Sequence, residues 1–168
     1  MMTSRKEFLT KSLLFATGIV LTPKFVLSQT QEKPQPIDPK IVKDFVSAAH
    51  SDLGKVKVLL KQYPLLLNSA HDWGGGDFET AIGGAGHLGL VETANFLLSQ
   101  GARADIFVLT MLGKIAIVKS MLADYPNLLH SKGPHGFTLL HHAKKGGSNE
   151  LVDYFQSLGL TETFIKLY

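Results

Sequence analysis

The 168-residue sequence is long enough for one domain and, at 45% hydrophobic residues, for a sizeable core. It contains no cysteine, which excludes disulfides, thiolate metal ligands and cysteine nucleophiles. The formal charge of +3 comes from the first 28 residues, where Arg5, Lys6, Lys11 and Lys24 stand against Glu7 alone; elsewhere basic and acidic residues balance, and no Lys/Arg stripe suits a phosphate backbone.

Residues 1–28 read as an export signal. A basic start precedes an apolar run from Ser12 to Leu21, and Ser28 supplies a small residue before a cleavage point. About 20 apolar residues are needed to cross a bilayer, so this run is too short to span one. Ser4-Arg5-Lys6-Glu7-Phe8-Leu9 resembles the bacterial twin-arginine signal, with Lys6 in place of the second arginine. The location expected from this leader is periplasmic or otherwise exported, in a bacterial envelope. Residues 29–39 (QTQEKPQPIDP) are polar and proline-rich, as linkers are, and the folded part is expected over 40–168.

From there the pattern is helical. Val56, Leu59 and Leu60 recur on one face, and KVKVLLKQYPLLLN ends at a Tyr-Pro pair. An extended turn, HDWGGGDFE, leads to Thr80, a good N-cap for a helix ending near Gly89. LVETANFLLSQG follows as a second helix, and Asp105 caps a third through Leu112. AIVKSMLADYPNLLH repeats the Tyr-Pro ending, Thr138 repeats the threonine cap, and SNELVDYFQSLG is again amphipathic. Ala48, Ala49, Ala85, Gly86 and Ala143 are small enough for helices to approach closely. Thr161–Tyr168 is predicted to be a short capping helix over the last apolar face.

Self-comparison turns these segments into repeats. Residues 80–89 align with 138–147, and 55–68 align with 116–130; the equivalent positions Val56, Ala94, Val118 and Val152 lie 38, 24 and 34 residues apart. Gly136-x-Thr138-x-Leu140-His141-x-Ala143, followed by Gly147, is a near-complete ankyrin signature without its proline, and Thr80-Ala81-Ile82 with Gly89 is a weaker copy. Over about residues 40–160 the chain resembles the ankyrin repeat family. The resemblance implies an all-α solenoid of about four helix-turn-helix repeats with irregular spacing. It also implies that His141 ties neighbouring turns together by hydrogen bonds. In the contracted stretch between repeats two and three, the helix from Ala104 to Leu112 is expected to pack on repeat two through Ile106, Phe107 and Leu109.

The remaining histidines offer no metal or catalytic pattern in sequence. His141 and His142 are adjacent and point about 100° apart on a helix, and no carboxylate lies close in sequence to His130 or His135. His71, Asp72, Asp77 and Glu79 could be drawn as an acid–base cluster, but Gly74-Gly75-Gly76 lies between them and flexible loops fix geometry poorly. No phosphate loop or nucleophile elbow is present. The expectation is therefore no metal, no cofactor and no catalysis.

What the resemblance implies instead is a protein–protein interaction module that docks a partner on its concave face and turns. The matching positions are Asp72, Trp73, Asp77, Glu79, His87, Phe137 and Lys145. Trp73 is equally compatible with an interface anchor and with a cover over the junction of the first two repeats. Phe78 is expected to pack inward. The expected state is a monomer with a protein partner, no nucleic acid and no membrane span in the mature chain. The alternative is a small-molecule or metal-binding envelope protein using the histidine-rich turns.

Overall fold

The computed structural model describes residues 35–168; the export-signal reading of 1–28 and most of the linker lie outside the described residues. Two apolar clusters organise what is described. The first gathers Phe45, Val56, Leu60, Leu66, Ile82, Ala85, Leu97, Val108 and Met111, and the second gathers Ile106, Phe107, Val118, Leu122, Leu139, Leu140, Leu151 and Phe155. Each fully buried side chain of this size is worth about 1.5–3 kcal/mol.

Apart from Leu66, these residues come from eight α-helices: α1 (Pro39–Ala48), α2 (Leu53–Gln62), α3 (Ala81–Leu88), α4 (Val91–Ser99), α5 (Ile106–Met111), α6 (Ile115–Asp124), α7 (Leu139–Lys145) and α8 (Asn149–Ser157). Their starts follow capping chemistry. Asp38, Asp52, Thr80, Asp105 and Thr138 each accept a backbone N–H of the first helical turn, satisfying donors that have no partner inside the helix. Among the described residues, no helix is long and apolar enough to cross a membrane.

The same turns recur. Between α3 and α4, α5 and α6, and α7 and α8, a glycine with positive φ (Gly89, Gly113, Gly147) is followed by a residue whose N–H returns five positions: Leu90 to Ala85, Lys114 to Leu109, Ser148 to Ala143. After α2 and α6 the chain enters 3-10 turns at Pro64–Asn68 and Pro126–His130, closed by Ser69 and Ser131, whose hydroxyls donate to Leu66 O and Leu128 O. The α1/α2 connection lacks a left-handed glycine and carries His50 instead. The helices α1, α3, α5 and α7 pack on one another in chain order.

Three local expectations are corrected. Residues 161–168 are not a capping helix. They run extended, with an antiparallel bridge from Phe164 to Phe137, Thr163 O accepting from Thr138 N (3.1 Å) and Ile165 N donating to Gly136 O (2.9 Å). The unpaired backbone groups of the 136–138 loop select a strand-like partner, which the β-branched and aromatic residues of TETFIKLY readily form. Phe78 points outward and is 63% exposed, because strand alternation turns its neighbours Asp77 and Glu79 inward. α5 lies between both clusters: Val108 and Met111 join the first, while Ile106 and Phe107 join the second with Leu109 packed against it. The contact with α3 and α4 is thus made by Val108 and Met111 rather than by Ile106, Phe107 and Leu109.

Candidate functional site

The extended turn is an ordered hairpin. Strands β1 (Ala70–Asp72) and β2 (Phe78–Thr80) pair antiparallel, with His71 opposite Glu79. Asp72 Oδ1 accepts from Gly74 N (2.9 Å) and Gly76 N (3.2 Å), and all three glycines adopt positive φ that other residues rarely tolerate. A short side chain and three permissive residues therefore hold the tip in one conformation. This corrects the expectation of a flexible loop unable to fix geometry.

The hairpin delivers two carboxylates to the histidines of other segments. Glu79, 1% exposed, meets His87 of α3 (Oε1 to Nε2, 2.9 Å), His50 after α1 (Oε2 to Nε2, 3.2 Å) and His135 (Oε2 to Nε2, 3.5 Å). His50 and His87 bring their Nε2 atoms to 3.2 Å of each other. The four side chains offer ligand atoms that all lie within 4.8 Å. The Trp73 indole N–H donates to Glu79 Oε2 at 2.7 Å and anchors the ring beside His50 and His135.

A second layer orients the imidazoles. His50 Nδ1 donates to the Val46 carbonyl at 2.9 Å. His135 Nδ1 donates to Asp77 Oδ2 at 2.7 Å, and its backbone N–H donates to Asp77 Oδ1 at 2.8 Å. Since a carbonyl and a carboxylate only accept, both rings carry the proton on Nδ1 and turn Nε2 toward Glu79. His87 stacks on Phe137, which stacks in turn on His141. His141 Nε2 donates to the His87 carbonyl at 2.7 Å, so it does bond a neighbouring turn.

Two backbone features serve this arrangement. His135 is the one non-glycine with positive φ among the described residues (φ 60°), a conformation that costs on the order of 1 kcal/mol or more and persists where surroundings enforce it. Gly84 of α3 leaves room for His50: a Cβ there would stand 2.7 Å from the imidazole Cε1. Glycine inside a helix costs about 1 kcal/mol relative to alanine, and here the space it opens is filled by a ring of the cluster.

Electrostatics follow burial and contact. Burial would raise the Glu79 carboxyl, but His50 and His87, with the Trp73 N–H, outweigh it and hold it down at about 2. Hydrogen bonding to Glu79 raises His50 against the lowering effect of its burial. His142 lies outside the cluster in the apolar interior, where burial lowers it to about 4.

Of the seven expected partner-contact residues, Asp77, Glu79 and His87 are buried, Glu79 against His87 and Asp77 against His135. Their burial removes them from any docking surface. Asp72, Trp73 and Lys145 are exposed, and Phe137 is half-buried beneath Phe164. No carboxylate lies close to His135 in sequence, but one lies close in space. Asp77 lies 58 residues from His135 in sequence, but the hairpin carries it to hydrogen-bonding distance. His50 went unnoticed because nothing near it in sequence suggests a ligand. Comparison with models of known protein families and with curated proteins finds no match to this chain.

Proposed function

We propose that this chain is an exported ankyrin-type repeat domain acting as a non-catalytic binding module. Support for the repeat reading comes from the three connections that share one glycine conformation and one hydrogen bond, together with α1, α3, α5 and α7 packing in chain order. The export reading rests on the leader pattern alone.

One observation carries the binding reading. Trp73, 36% exposed, and Phe78, 63% exposed, sit on a hairpin anchored through Glu79. Fixed, exposed aromatic side chains lose little freedom when a protein partner covers them, which is the property of interface hot spots. Affinity capture from an envelope fraction tests it, with Phe78→Ser against the wild-type chain. A single partner whose affinity falls about tenfold or more in the variant supports the reading. Equal capture by both chains contradicts it.

A further inference from the structure

We infer that His50, Glu79, His87 and His135 together hold a divalent transition-metal ion, with zinc the best match. This goes beyond the docking reading and does not depend on it. His50 and His135 each donate from Nδ1, to Val46 O and Asp77, and so aim Nε2 at the buried Glu79 carboxylate. A buried carboxylate needs positive charge beside it, and a metal ion among these atoms supplies that charge while using the Nε2 lone pairs as ligands.

The spacings define the cation. Ligand atoms about 2.0–2.1 Å from a tetrahedral ion stand about 3.3–3.4 Å apart. The spacings here are of that size: 2.9 Å from His87 Nε2 to Glu79 Oε1, 3.2 Å and 3.5 Å from His50 and His135 Nε2 to Glu79 Oε2, and 3.2 Å between the His50 and His87 Nε2 atoms. Glu79 Oε1 provides an independent sign: it is fully buried and makes no hydrogen bond of acceptable geometry, although His87 Nε2 lies 2.9 Å away. A buried carboxylate oxygen without a donor is costly, and an ion among the three Nε2 atoms satisfies it.

The donor types narrow the choice further. Three imidazoles and one carboxylate suit zinc and its first-row neighbours, whereas calcium and magnesium prefer oxygen ligands throughout. Asp77 on His135 and the Val46 carbonyl on His50 are the outer contacts that fix ring orientation in histidine metal centres. With four protein ligands the tetrahedral shell is complete, so the ion is a structural staple rather than a catalytic centre. It joins the α1/α2 turn, the β1/β2 hairpin, α3 and the Pro134–Gly136 turn.

The test uses the full chain, stripped with a chelator and titrated with Co2+, whose visible bands report tetrahedral coordination, followed by competition with Zn2+. One Co2+ per chain with tetrahedral bands, displaced by one equivalent of Zn2+ and not by Mg2+ or Ca2+, is the expected result. Glu79→Gln and His135→Gly should each lower Zn2+ affinity at least 100-fold. Asp77→Asn, which touches no ion, should lower it 10–100-fold, the range for outer-shell partners. His135→Gly guards against misfolding of Glu79→Gln, because glycine accepts the positive φ that histidine adopts under strain. The inference is overturned if the wild-type chain shows no stoichiometric binding. It is also overturned if binding survives in both ligand variants, which would place the metal on surface histidines such as His71. Neither result bears on capture through Phe78, which takes no part in the cluster.

Discussion

Helices α3 and α7 start from the same instructions and end with different contents. Each is capped by a threonine (Thr80, Thr138), each buries an aliphatic residue two positions later (Ile82, Leu140), and each is followed by a left-handed glycine (Gly89, Gly147). They part at the positions between. Where α7 has His141 and His142, α3 has Gly83 and Gly84. The α7 histidines fill their own space: His142 donates from Nδ1 to Thr138 O at 2.8 Å and packs near Phe107. On α3 the glycines vacate that space, and His50 from the preceding helix connection moves in beside His87. One framework thus yields a closed apolar junction in one place and a polar centre in another, by the choice of side chain at two positions.

The sharpest way to break this comparison is at the shared aliphatic position. Ile82→Ala and Leu140→Ala should each cost about 2–5 kcal/mol, since both residues are at most 3% exposed. Chemical denaturation should give losses of similar size. A loss confined to one of them would show that the two helices do not carry equivalent load.

Next comes pH, where the differing positions should separate. His142 keeps its folded value near 4 against an ordinary 6.5, so the unfolded chain binds a proton first as pH falls. Stability should therefore decline from about pH 6.5 down to about 4, by on the order of 2–3 kcal/mol, and His142→Leu should remove that decline. Glu79, held at about 2 against an ordinary 4.5, contributes stability that is present above 4.5 and lost as pH falls toward 2. Equilibrium unfolding between pH 2 and 7 would resolve the two windows. An unchanged acid profile in His142→Leu would refute the assignment.

The smallest effect concerns the caps. Thr80→Ala should cost about 1 kcal/mol. Thr138→Ala should cost more, because the Thr138 hydroxyl is buried and also donates to Glu162 O at 2.6 Å, a bond that Thr80 has no counterpart for. Thermal melts of the two variants compare them directly, and equal losses would mean that the 161–168 segment contributes nothing at Thr138.

This contrast also explains what was legible in the sequence. Local chemistry was: Thr80, Asp105 and Thr138 cap the helices that their positions suggest, and the paired Tyr-Pro endings form matching 3-10 turns. The cluster was not, because its residues come from separate elements and no regular spacing in the sequence pairs them. His50 comes from a helix connection, Glu79 from a hairpin strand, His87 from a helix and His135 from a strained turn; packing of α1 against α3 and the hairpin, and of the 134–136 turn against α3, joins them. Gly83 and Gly84 stand in the sequence where the fuller copy has His141 and His142, yet a missing side chain does not reveal which ring will occupy the space. The extended run of Thr161–Tyr168 was missed for a similar reason: its partner is the exposed backbone of a loop, which has no residue signature.

The most direct measurement on the polar centre is X-ray absorption at the zinc edge, on the full wild-type chain loaded with one equivalent. The expected shell holds three imidazole nitrogens and one carboxylate oxygen at about 2.0–2.2 Å. A shell dominated by water oxygens, or one with fewer than three imidazoles, would contradict the assignment of His50, Glu79, His87 and His135 as a single metal centre.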